Sequence, residues 1–127
     1  MHSGEKILVM DDDGDVLSVA INMLNLMGYK TDTAHDGSEA ITKYKQAMEE
    51  GQPFDGIILD LTIPGGMGGQ ETVQQLLLID PEVKAIVSSG YANDPIMAEY
   101  IKYGFHGVAT KPYDMEQLGQ ALRNLFD

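Results

Sequence analysis

The 127-residue chain contains no cysteine. That absence excludes a disulfide framework, a thiolate metal site and a cysteine nucleophile, and it fits a reducing compartment such as the cytoplasm. Basic residues are scarce: 8 Lys and Arg stand against 20 Asp and Glu, for a net charge of −12. A phosphate backbone would be repelled by most of this surface, so direct nucleic-acid binding is not expected. No apolar run approaches the ~20 residues that span a bilayer, so no membrane contact is expected of this chain. The start, Met1-His2-Ser3-Gly4-Glu5-Lys6, has neither the basic nor the apolar region of a signal peptide. The 3 histidines, His2, His35 and His106, show no ligand spacing. No linker, repeat or low-complexity stretch interrupts the chain. The expectation is one domain over residues 1–127, with 1–4 a disordered or cloning-derived leader.

What is present is a strict alternation of short apolar runs and longer amphipathic segments, the mark of a βαβ architecture. Strands are expected at residues 6–10, 29–34, 56–60, 84–88 and 107–110. Helices are expected at 15–27, 38–50, 70–79, from Pro95 onward, and at 115–126. The first helix carries Val16, Val19, Ala20, Met23, Leu24 and Met27 at helical spacing. The fourth would line one side with Ile96, Met97, Tyr100 and Ile101, and the last would turn Met115, Leu118, Leu122 and Leu125 inward. Tyr100, Tyr103 and Phe105 read as lining of the fourth helix and the approach to the fifth strand. Most of the 8 methionines read as core packing.

Right-handed crossovers put every strand-to-helix loop at one sheet edge. In the order 2-1-3-4-5, ligands bind where strand order reverses, between the first and third strands. Polar groups stand at those strand ends: Asp11 and Asp12, Asp60, Ser89, and Lys111. Hard oxygen ligands without His or Cys favour magnesium, manganese or calcium. Asp60 ends an otherwise apolar strand, so it needs a partner and suits an aspartyl nucleophile that forms an acyl phosphate. Ser89 and Lys111 are a hydroxyl donor and a point charge for phosphoryl oxygens. Each has a plainer reading alone: a helix start rich in capping acids, a strand-end Asp, a turn serine, a surface lysine. The conjunction carries the weight. An EF-hand is excluded because Val16 stands where its glycine is required, and the glycine-rich stretch at 64–69 is not a P-loop, since no Gly-Lys-Ser/Thr follows.

Five segments carry a resemblance: Ile7-Leu8-Val9-Met10-Asp11-Asp12-Asp13, Asp36-Gly37-x-Glu39-Ala40, Ile58-Leu59-Asp60-Leu61-Thr62-Ile63-Pro64, Val87-Ser88-Ser89-Gly90-Tyr91 and Thr110-Lys111-Pro112-Tyr113. From Glu5 to Phe126 the chain resembles the receiver domain of two-component response regulators. The resemblance implies a flavodoxin-like (βα)5 doubly wound sandwich and phosphorylation of Asp60 from a phosphohistidine of a histidine kinase or histidine phosphotransfer domain. It implies Mg2+ (or Mn2+) on Asp12 and Asp60, with Asp11 direct or through water and the Thr62 carbonyl. Ser89 and Lys111 would hold the phosphoryl oxygens, and the Lys111-Pro112 peptide would be cis. The fourth helix, fifth strand and fifth helix would form the face that changes, and a dimer through it is an expectation. The wording around Ser89 and Lys111 also resembles the C-terminal receivers of hybrid histidine kinases.

Two departures from the family pattern matter. Val108 stands where an aromatic switch residue is usual, three before the lysine. Thr62 and Tyr91 hold the positions that tune hydrolysis, and neither brings a carboxylate or amide to orient water, so a long-lived acyl phosphate is expected. Rival readings are an aspartyl-nucleophile phosphatase of the haloacid dehalogenase type, which would want an Asp at Thr62, a flavin binder, which would want a hydroxyl-rich first loop, and a degenerate receiver serving only as a docking module.

Overall fold

A computed structural model describes residues 4–127. Five parallel strands form one sheet in the order β2-β1-β3-β4-β5: β1 Lys6–Met10, β2 Lys30–Ala34, β3 Gly56–Asp60, β4 Ala85–Ser89 and β5 Gly107–Thr110. The connecting helices are α1 Gly14–Leu26, α2 Gly37–Glu49, α3 Gly69–Ile79, α4 Pro95–Ala98 and α5 Met115–Phe126. This is the flavodoxin-like α/β architecture expected from the alternation, with strand boundaries displaced by at most one residue. The expectation for residues 1–3, His2 included, lies outside the described residues. Gly4 is described, and its N–H donates to the Gly28 carbonyl at 3.4 Å.

Both faces of the sheet are covered, so the central strands are apolar throughout. Alternation sorts their side chains into two layers. Leu8, Met10, Ile57, Leu59, Ala85 and Val87 pack with residues of α2 and α3. Ile7, Val9, Ile58, Ile86 and Ala109 pack with α1 and α5. Helix starts are capped by aspartates: Asp13, Asp36, Asp94 and Asp114 each accept from backbone N–H groups of the following turn. Part of the acidic run after β1 is thereby explained, because Asp13 caps α1.

Several packing expectations are corrected. In α1 the buried line is Leu17, Ala20 and Leu24, while Val19 is 45% exposed. Of the stripe read from the sequence, Ala20 and Leu24 are in the core and Val16, Met23 and Met27 pack against it, with Met27 beside Gly119 of α5, so Val19 is the one misplaced member and Leu17 the one missed. Val19 sits roughly half a turn away from the sheet-facing line. The fourth helix has only 4 α-helical residues and continues as a 3-10 turn, Tyr100–Tyr103. Three residues per turn instead of 3.6 rotate the later side chains off the helical face. Met97 is buried and Ile96 and Tyr100 are partly so, but Ile101 is 74% exposed. Met115 faces outward at 44% exposure, while Leu118, Leu122 and Leu125 are buried as expected. Among the described methionines only Met10 and Met97 are fully in the core. Phe105 is buried, with Tyr100 and Tyr103 against the same layer.

The glycine-rich loop after β3 lies hard against the strand end. A Cβ on Gly68 would overlap the Leu61 carbonyl oxygen, and one on Gly69 would come within 2.9 Å of the Asp60 carbonyl oxygen. Thr72 Oγ1 donates to the Gly68 carbonyl at 2.7 Å, and the Gly37 N–H donates to Met67 O at 2.8 Å, so the loop is clasped on both sides. Gly68→Ala is expected to destabilise the fold by about 1–3 kcal/mol through this overlap. Urea unfolding measures it, and an unchanged midpoint would show that the start of α3 gives way freely.

Candidate phosphoryl-transfer site

Asp11, Asp60 and Lys111 each follow by two residues a strand position in the α1–α5 layer: Val9, Ile58 and Ala109. Their side chains therefore emerge on that side of the sheet, at the carboxyl ends of β1, β3 and β5. The sheet edge is held by backbone rungs. The Asp11 N–H donates to Ala34 O at 3.0 Å, Leu61 N–H to Ser88 O at 2.8 Å, and Lys111 N–H to Ser89 O at 2.9 Å. The Lys111-Pro112 peptide is cis, as expected.

Asp11 is fully buried and Asp60 is 3% exposed. The Lys111 ammonium bridges them, 3.0 Å from Asp11 Oδ2 and 3.2 Å from Asp60 Oδ1. Asp11 Oδ1 accepts from the Asp13 N–H at 3.0 Å. Asp12 is exposed, yet one carboxylate oxygen from each of Asp11, Asp12 and Asp60 lies within 4.8 Å of the others. Three carboxylates against one ammonium leave two uncompensated negative charges, which a divalent cation balances. The donor set is all oxygen, as a hard cation requires.

Ser89 is 3% exposed, and its Oγ accepts from the Tyr91 N–H at 3.0 Å. That contact leaves the hydroxyl proton free to be donated elsewhere. Thr62 and the 72%-exposed Tyr91 stand at the rim of a cavity of about 450 Å³ that these groups line. All six residues singled out from the sequence, Asp11, Asp12, Asp60, Thr62, Ser89 and Lys111, border this one cavity. His35 bonds Glu39 at 3.0 Å, well removed in the sequence from the site, and His106 is exposed.

Two residues that the sequence reading passed over belong to the buried floor. Ser88, two after Ile86, emerges on the same side as Asp60, its neighbour in register. Its Oγ lies 2.6 Å from the Tyr113 hydroxyl, and both residues are buried. The available signal was a serine inside an apolar strand, which must find a partner.

An acidic cleft with a bridging lysine, at the topological switch point of a doubly wound sheet, defines a class: small α/β modules that bind a cation and a phosphoryl group. The profile of the response regulator receiver domain matches residues 7–123, and the chain belongs to that family. It is similar to the chemotaxis protein CheY of Thermotoga maritima, at 28% identity over 96% of this chain and 98% of that protein. It is also similar to sporulation initiation phosphotransferase F of Bacillus subtilis, at 28% identity over 94% of this chain and 91% of that one. Other curated relatives are longer; the chain spans 15% of one and 55% of another. Among solved structures, CheY in the CheX-CheY-BeF3-Mg complex from Borrelia burgdorferi superimposes with a TM-score of 0.87 at 24% identity, covering 97% of this chain and 90% of that one, which shows the shared fold.

The electrostatics set a pH dependence. Burial, and then the charge of Asp11, push the Asp60 carboxyl above its ordinary 3.8, against the opposing pull of Lys111 and a Thr62 backbone hydrogen bond. Burial alone would lower Lys111, but Asp11 and Asp60 outweigh it and raise the ammonium above 10.5. Between the unfolded and the higher folded pKa of Asp60, the folded state keeps a proton that the unfolded chain releases. Unfolding free energy therefore falls as pH rises through that window and stays lower above it. Asp60→Asn removes this cost, so its melting temperature in chelator at pH 7 is expected to exceed that of the wild type, with the gap closing as pH drops through the folded pKa. A variant that melts lower at neutral pH would contradict this account.

Proposed function

We propose that the chain is a phosphoacceptor receiver module that takes a phosphoryl group onto Asp60 from a phosphohistidine of a histidine kinase or histidine phosphotransfer domain. The observation that carries the reading is the convergence of the Asp11, Asp12 and Asp60 carboxylates with Lys111 on two of them. Asp12 and Asp60, with Asp11 direct or through water and the Thr62 carbonyl, are the residues that would hold Mg2+ (or Mn2+). The ion supplies charge neutralisation for the phosphoryl oxygens. A carboxylate oxygen of Asp60 attacks phosphorus; the new P–O bond forms as the P–N bond breaks, and the imidazole nitrogen leaves with the electron pair. Lys111 and the Ser89 hydroxyl hold the equatorial oxygens where charge develops. The module catalyses its own phosphorylation, and its role is signalling.

A new dianion beside Ser89 and Lys111 alters the contacts of both residues. Their strands adjoin the face made by α4, β5 and α5, where a groove of about 400 Å³ runs between Tyr100 and Gln117. We assign docking or dimerisation to this face, with Val108 in place of a large aromatic. Among the described residues no helix is long and apolar enough to cross a membrane. The lack of cysteine fits the cytoplasm, and it is the wording around Ser89 and Lys111 that supports a parent such as a hybrid histidine kinase.

Incubation with acetyl phosphate and magnesium is expected to add one phosphoryl group by intact mass, and Asp60→Asn is expected to abolish the adduct. No adduct, or one that survives the substitution, would overturn the assignment. The adduct is expected to be long-lived, because Thr62 and Tyr91 bring no carboxylate or amide to the cavity rim. Chasing it after donor removal measures this: a wild-type half-life of seconds would contradict the expectation, whereas Thr62→Asn should shorten the half-life.

A further inference from the structure

We propose that Tyr113, anchored on Ser88, is the positioning residue that aims Lys111 into the phosphoryl site; this rests on the reading of Asp60 as phosphoacceptor. In the sheet β4 lies between β3 and β5, so the Lys111 side chain must pass over β4 to reach Asp60. The β4 residue on that side of the sheet is Ser88, paired in register with Asp60 on one flank and Ala109 on the other. It is small enough to let the lysine stem pass, and it is fully buried. A hydroxyl withdrawn from water needs a partner, and the partner here is the Tyr113 hydroxyl at 2.6 Å. Burial pushes the Tyr113 phenol up to about 12, so both groups stay neutral at any physiological pH.

Lys111 is thereby held between two anchors on consecutive β4 residues. Its own N–H donates to the Ser89 carbonyl at 2.9 Å, and two residues later the Tyr113 hydroxyl meets Ser88. A lysine carries a flexible four-carbon stem, and fixing its root at both sides restricts where the ammonium can travel. The cation ligands sit on β1, β3 and the loops that follow them, outside this clasp. The pair therefore bears first on phosphoryl transfer, and on the cation only through the Lys111 contacts to Asp11 and Asp60. The Tyr113 ring packs in the α1–α5 layer with Ile86, Ala109 and Leu118, so Phe fills the same space and removes only the hydroxyl.

The test is the rate of adduct formation from acetyl phosphate, read by intact mass across a magnesium titration, for wild type, Tyr113→Phe, Lys111→Ala and the double variant. Loss of one hydrogen bond's worth of aim is expected to slow Tyr113→Phe roughly five-fold. The magnesium concentration at half-maximal rate is expected to shift by less than the rate does, because the ligands themselves are untouched. In the Lys111→Ala background the same change is expected to have no further effect, because the group it aims is gone. Ser88→Ala breaks the bond from the other side and should reproduce the result if Tyr113→Phe folds poorly. A wild-type rate in both single variants, or an equal slowing with and without Lys111, would overturn the proposal and leave a packing role. No adduct on the wild type would instead overturn the phosphoacceptor reading, and the proposal with it.

Discussion

Asp11 and Asp60 are drawn out of water side by side, and one ammonium bridges them. Two buried carboxylates this close repel, and Lys111 neutralises only one of them. The exposed Asp12 deepens the imbalance. The site therefore has a standing demand for positive charge, which a divalent cation would meet. Burial, and then the charge of Asp11, make Asp60 hold its proton more tightly than an ordinary aspartate, and an arriving phosphoryl group would need that cation beside Lys111.

The rest of the fold serves that arrangement. Parallel strands with right-handed crossovers bring every strand end to one edge. Alternation decides which side of the sheet each end group takes, so Asp11, Asp60, Ser88 and Lys111 share a side with α1 and α5. Glycines at 68 and 69 let α3 begin directly behind Asp60, where any side chain would meet backbone oxygen. Aspartate caps at 13, 36, 94 and 114 satisfy N–H groups at the starts of four of the helices, which accounts for part of the acidic excess without any functional role.

Legibility varied with the kind of signal. Strands such as Gly56–Asp60 were readable because burial on both faces makes them continuous apolar runs with polar ends. The stripe on α1 was readable except at one edge, where Val19 was taken for a core residue and Leu17 was not. Both are apolar and two residues apart, and only packing separates them: Leu17 is buried and Val19 is 45% exposed. The fourth helix misled for a local reason: Glu99 leaves helical geometry and the chain tightens into a 3-10 turn, which moves Ile101 outward. Ser88 and Tyr113 lie in the segments that carry the resemblance, but their pairing went unread because it joins residues 25 apart in sequence.

By itself the sequence determined the strand and helix order, the single acidic edge and the identity of the groups at it. Local patterning carries that information, since period, caps and strand ends are written within a few residues. Only the tertiary structure decided which carboxylates are buried and which is exposed, that Lys111 crosses β4 to touch both buried ones, and that Ser88 and Tyr113 close beneath it. These depend on strands distant in sequence lying beside one another, and on the desolvation that their packing imposes.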